Sequence, residues 1–280
     1  MGWDSCFFRT FAPRKATKSV KIKQVLEALE RFAPLPLQES WDNAGLQIGL
    51  TEAEVSGALL CLDVTEKVVD EAIRKGCNVV VSHHPLLFRG LKQVSDYNDV
   101  QRTVRKAIRN DVCVISMHTN LDNAQDGVNW KIAEKLELQN VEFFATKKVG
   151  ELTGGGGVVG CLKKPLSSEA FIAKVKQTFK AGCVMCNELL QRPVSKVAVC
   201  GGAGDFLLDD AIALGADAFI TGEMHYHQYF GHEQEVQICV IGHYESEQFT
   251  SEIFRDIIQK ECPGVRVEIA ETNTNPILYF

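Results

Sequence analysis

The chain carries seven histidines, and six of them (His83, His84, His118, His225, His227 and His243) stand at or just beyond the ends of short apolar runs. Val79-Val80-Val81-Ser82-His83-His84-Pro85 shows the pattern most plainly. Three β-branched residues predict a buried strand, and the proline after them cannot continue a ladder. Imidazoles at the carboxyl end of a strand stand where α/β sheets collect their ligands. Carboxylates accompany them: Asp122 four residues beyond His118, Glu223 two before His225, and Glu247 four beyond His243. A helix beginning near His243 would set His243 and Glu247 on one face through their i,i+4 spacing. Imidazole with carboxylate is the donor set of zinc, manganese, iron or nickel rather than of calcium or a thiolate site. One catalytic ion with an open position usually takes about three protein ligands, so a larger set suits two divalent ions that share a bridging carboxylate. The remaining histidines would orient ligands or carry protons.

These side chains need a frame, and the hydrophobic pattern supplies one. Residues 58–62, 78–82, 112–117, 158–162, 197–200, 218–221, 237–241 and 265–269 read as strands. Helical patterns lie between many of them, which implies an α/β fold with parallel or mixed sheets. Ile22, Val25, Leu26, Leu29 and Phe32 mark an amphipathic first helix, which Pro34 ends. Thr65 is placed to cap a helix that runs to Lys75 and stops at Gly76. Further helices are expected over 100–109, 127–136 and 168–179, and from the His243 region to about 260. The block 39–49, built around Trp41, reads as a loop that packs on the fold or faces the site. Gly154–Gly157 is the natural boundary or hairpin turn. Gly201-Gly202-Ala203-Gly204 is expected to be a tight steric turn rather than a phosphate cradle, with Asp205 capping the next helix. Two related halves follow, 19–148 and 149–280. Residues 1–18 are a disordered tail, a presequence or an appended segment, with Arg9, Arg14, Lys15 and Lys18 against the single acid Asp4.

Composition narrows the function classes. A hydrophobic content of 45% and a charged content of 24% suit a globular protein. The net charge of -6 argues against a nucleic-acid backbone as the main partner. No apolar run approaches the roughly 20 residues that span a bilayer. The ten cysteines are scattered, mostly within apolar runs, as small core residues of a reducing, cytoplasmic compartment. Cys183-x-x-Cys186 lacks the second pair that would complete a zinc knuckle.

The blocks Ser82-His83-His84-Pro85, His118-Thr119-Asn120-Leu121-Asp122, Thr221-Gly222-Glu223 and Gly242-His243-Tyr244-Glu245-Ser246-Glu247 resemble those of the Nif-three-like dinuclear metal-centre family. Its members are called GTP cyclohydrolase 1 type 2 homologs. The earlier block Trp41-Asp42-Asn43-Ala44-Gly45-Leu46 fits as well, and the resemblance runs from about Lys21 to Phe280. It implies His83, His84, Asp122, His243 and Glu247 as ligands of two divalent ions, with Glu247 bridging. It also implies a Nif-three-like fold and a homohexameric ring with the metal sites facing an inner cavity. Longer members carry a ferredoxin-like insert near the position of Gly154–Gly157, which this chain is expected to lack. The family name suggests a hydrolase that opens the ring of GTP or of another nucleotide-like small molecule, with His225 or His118 moving protons. The alternative is a non-catalytic scaffold or metal carrier, since eukaryotic relatives are described as partners of transcription regulators.

Overall fold

The structure, a computed structural model, describes residues 19–280, so the expectations for 1–18 lie outside the described residues. The chain begins with α1 (Ile22–Phe32) and a short strand, β1 (Gly45–Ile48). It continues through β2 (Ala58–Cys61), α2 (Glu66–Lys75), β3 (Val79–Ser82), α3 (Asp99–Arg109), β4 (Cys113–Ser116), α4 (Thr119–Asp122) and α5 (Val128–Lys135). A hairpin follows, β5 (Gln139–Val149) and β6 (Leu152–Leu166). Next come α6 (Ser168–Phe179), β7 (Met185–Cys186), β8 (Val194–Cys200), α7 (Leu208–Ala213) and β9 (Ala218–Thr221). The last elements are β10 (Gln237–Val240), α8 (His243–Glu247), α9 (Thr250–Glu261) and β11 (Val267–Ile269).

Two mixed sheets result. The first has the order β1-β4-β3-β2-β11 and is parallel except at β1; the second is β5-β6-β8-β9-β10-β7, parallel only through β8-β9-β10. Each sheet thus centres on three parallel strands whose carboxyl ends point the same way. The central strands β2, β3, β4, β9 and β10 are buried at every position, because both faces are covered. Side-chain alternation divides them between layers. Leu60, Val81 and Ile115 of the first sheet share the main core with Val197, Val199 and Ile220 of the second, together with α1, α5, α6 and α9. Leu59, Val80 and Val114 turn outward under α2 and α3, while Ala198, Phe219 and Ile238 turn outward under α7.

Local signals behave as the physics requires at several points. Thr65 Oγ1 accepts the Val68 amide at the start of α2, and Gly76 closes that helix in the left-handed region. Elsewhere the structure corrects the sequence. Residues 45–48, expected within a loop, form β1, an edge strand of four residues too short to show alternation. Gly154–Gly157 is neither a boundary nor a turn but the interior of β6; the hairpin turns at Gly150 and Glu151, leaving a tight connection there and no inserted domain. The glycines serve close approach instead. A Cβ on Gly157 would lie 2.4 Å from the Phe144 ring, and one on Gly154 would lie 2.4 Å from the Asn123 carbonyl. Asp205 does not cap a helix, because its carboxylate is engaged by His225.

Candidate metal centre

Every parallel strand but β11 delivers its carboxyl end to one cleft between the sheets. Asp63 follows β2, His83 and His84 follow β3, and just after β4 His118 precedes α4 while Asp122 is its last residue. From the second sheet come the glycine turn after β8, Glu223 after β9, and His243 and Glu247 on α8 after β10. The helix begins at His243, so one turn brings both its side chains to the same face. His83 is fully buried, and its chain is fixed because the His83 and His84 amides both donate to the Leu62 carbonyl.

Glu247 stands at the middle. Its Oε2 lies 3.0 Å from His84 Nε2 and 3.1 Å from His243 Nε2, while its Oε1 lies 3.6 Å from His83 Nε2. Asp122 Oδ1 lies 3.5 Å from that same His83 nitrogen. Two sets, His83–Asp122–Glu247 and His84–His243–Glu247, each gather their donor atoms within 4.8 Å and have Glu247 in common. His83, His84 and His118 form a third such group.

The opposite ring nitrogens explain why these donors face inward. His84 Nδ1 pairs with Asp63 Oδ1 at 2.7 Å, His243 Nδ1 with Glu223 Oε1 at 2.8 Å, and His118 Nδ1 with Asp42 Oδ1 at 2.7 Å. His83 Nδ1 donates to the Met117 carbonyl at 2.8 Å. A carbonyl or ionised carboxylate only accepts, so each Nδ1 carries the proton, and in the neutral ring Nε2 presents a lone pair to the cleft. The His84 and His243 Nε2 atoms then face each other at 3.2 Å. His83 Nε2 and Glu247 Oε2 are buried with no hydrogen-bond partner. Buried acceptors crowded together without donors are costly, and a divalent cation would satisfy them. The residues therefore fit a metal ion.

Without a cation, protons take up part of that burden. Burial would push the His84 imidazole down, but Asp63 and Glu247 outweigh it and raise its pKa to about 10. His243 is likewise raised to about 9, with Glu247 overcoming burial. Burial, reinforced by the Glu247 charge, raises the Asp122 carboxyl well above its usual range. Metal ligands must shed these protons, so metal uptake should release about two of them near neutral pH and affinity should climb as pH rises from about 6 toward 9. Calorimetric titration in buffers of different ionisation enthalpy checks this; an affinity independent of pH would contradict it.

Above the cluster opens a cavity of about 580 Å³, whose lining includes Trp41, Phe88, His118, Lys147 and Phe206. Trp41 and Phe88 meet edge to face with centroids 5.8 Å apart, and Trp41 is 59% exposed. The 39–49 block thus contributes to the site: Trp41 lines it and Asp42 holds His118. A groove of about 750 Å³ along α1, α5 and α9 has neither histidine nor cysteine in its lining.

The structure brings His83, His84, His118, Asp122, His243 and Glu247 together. It does not bring His225 with them: that ring is 88% exposed, pairs with Asp205, and is absent from the cavity lining. The glycine turn approaches the site for steric reasons. The amides of Gly201, Gly202 and Gly204 are taken by Asn129, Ser246 and Thr221 side chains, which leaves little to cradle a phosphate. Asp63 is the residue that sequence reasoning missed, although it too stands just past a strand end.

Fold and site together define an α/β protein of two mixed sheets with a histidine–carboxylate cluster able to hold metal ions. The model of the Duf34/NIF3 (NGG1p interacting factor 3) family matches residues 20–276, and the chain belongs to that family. A relative from Clostridium acetobutylicum, called GTP cyclohydrolase 1 type 2 homolog, is 33% identical over 231 residues, covering 82% of this chain and 86% of its own. The crystal structure of a Staphylococcus aureus hypothetical protein superposes with a TM-score of 0.86 at 29% identity, covering 94% of this chain and all of that one. A Bacillus cereus protein related to NIF3 shares the fold, with a TM-score of 0.82 at 24% identity and coverage of 94% and 100%.

Proposed function

We propose that the chain holds two divalent ions and hydrolyses a nucleotide-like small molecule. The observation that carries the proposal is Glu247, with one carboxylate oxygen toward His83 and the other toward His84 and His243, at the floor of an open cavity. His83, Asp122 and Glu247 would hold one ion; His84, His243 and Glu247 would hold the other. Zinc, iron, manganese and nickel all accept these donors. Bound there, the ions supply Lewis acidity and make a nearby water easier to deprotonate. The chain's own residues do the rest. Trp41 and Phe88 offer faces and edges to a planar heterocycle. His118, oriented by Asp42, is the proton carrier in reach of the cavity, a role its position supports better than that of His225. The relatives' name points to a guanine nucleotide as the first substrate to try.

The test is a screen of protein loaded with each metal against GTP, other nucleotides and simple phosphoesters. His118→Ala should keep its metals and lose about a hundredfold or more in turnover, the usual worth of a positioned acid–base group. Loaded protein that hydrolyses none of these would overturn the reading in favour of a structural centre or a metal carrier. A cytoplasmic homo-oligomer, hexameric as the family resemblance implies, is part of the same proposal; a monomer by light scattering at micromolar concentration would contradict it.

A further inference from the structure

After β11 the chain does not leave the fold but runs from α2 past Asp63 to α8. The Glu271 and Thr272 amides and the Thr272 hydroxyl all donate to the carboxylate of Glu71, itself 2% exposed. Two residues on, the Thr274 hydroxyl donates to Asp63 Oδ2 at 2.6 Å. Asp63 uses its other oxygen for His84 Nδ1. Next, the Asn275 side-chain Nδ2 donates to Glu245 Oε1 at 3.0 Å, on the helix that carries His243 and Glu247. Tyr279 then packs on Gly182, where a Cβ would lie 2.5 Å from its ring. Residues 270–280 therefore form a strap fastened to the first sheet at one end and to α8 and its surroundings at the other.

We propose that this strap, through Thr274, positions one metal ligand set and not the other. The inference rests on the dinuclear reading above. Asp63 would be free to rotate about its side-chain torsion if only His84 held it. With Thr274 holding Oδ2, the carboxylate keeps one orientation, the His84 ring keeps its tautomer and tilt, and Nε2 stays aimed at Glu247 and His243. The His83–Asp122 pair has no comparable link to the strap: His83 Nδ1 is held by the Met117 carbonyl. Thr274 is accordingly a positioning residue whose effect falls on the His84–His243–Glu247 position.

The experiment is a zinc titration against a chromophoric chelator, run on the full chain as wild type, Thr274→Val, Thr274→Ser and Asp122→Asn. Valine keeps the shape of threonine and removes the hydroxyl; serine restores it. The expected result is two binding steps in the wild type. In Thr274→Val one step weakens by up to about tenfold, the lower end of what loss of a ligand's direct orienting partner costs, because Asp63 still holds His84. Thr274→Ser should recover it. Asp122→Asn should weaken the other step, and the double variant that combines Thr274→Val with Asp122→Asn should lose both. The thermal midpoint of metal-free Thr274→Val, measured alongside, should stay near that of the wild type. Equal weakening of both steps, no weakening, or failure of serine to rescue would each overturn the proposal while leaving the dinuclear reading in place. A wild type that takes up no zinc would overturn both.

Discussion

Replacing Glu247 by glutamine is expected to empty both metal positions at once. Elemental analysis of protein purified without chelator or histidine tag should show about two ions per chain in the wild type and fewer than one in the variant. The amide keeps the volume of the carboxylate but not its charge, and its nitrogen places donors where cations would sit. Because the two oxygens face different ligand sets, the loss cannot be confined to one of them. Removing a shared ligand should cost more than the roughly 10–100-fold typical of an outer partner. Glu223→Gln, which disturbs only the support of His243, supplies that milder comparison. Two ions retained in Glu247→Gln would remove the bridging carboxylate from the account of the site.

Gly202→Ala should have the next largest effect, although glycine carries no chemistry of its own. Gly202 has φ +61°, and a Cβ there would lie 2.4 Å from Glu247 Oε1. The left-handed backbone alone costs an alanine about 1–2 kcal/mol. Gly150→Ala measures that term separately, since its φ is +60° and nothing lies within 4 Å of the added carbon. Urea unfolding of the metal-free variants should show Gly202→Ala as the less stable of the two. Its metal content should fall as well, because the carboxylate must move to admit the methyl group. Equal stability and equal metal content in the two variants would show that Glu247 has room the geometry does not grant it.

How much of this was legible beforehand differs by element. The histidine–carboxylate cluster was, because a strand that ends in a histidine announces itself: apolar side chains stop and an imidazole begins at the edge of the core. The helix at His243 was legible from its i,i+4 spacing. Asp63 was not, although it holds His84, because an aspartate between a strand and a helix cap reads as an ordinary turn residue. Its partner lies 21 residues away, and no local pattern encodes that pairing. The glycine run at 154–157 misled for a related reason. Glycine permits turns and close approaches alike, and only the Phe144 ring and the Asn123 carbonyl, contributed by other elements, decide which one is built. His225 shared the strand-end signal of the clustered histidines, yet its short helical turn carries the ring outward to Asp205. The family resemblance pointed to the same cluster of side chains; the hydrogen bonds that aim each ring came only from the fold.

The placement of β11 beside β2 has a consequence for how the protein is made. The first sheet is begun by residues 45–48 and finished by residues 267–269, so the β2 edge stays open until β11 is synthesised. Folding from the N-terminal side can form β2, β3 and β4 early, with His83, His84 and Asp122 in place and Glu247 not yet made. During that interval the β2 edge is unpaired and free to pair with another chain. The histidine–carboxylate cluster is therefore completed only when α8 arrives, after most of the chain has been made.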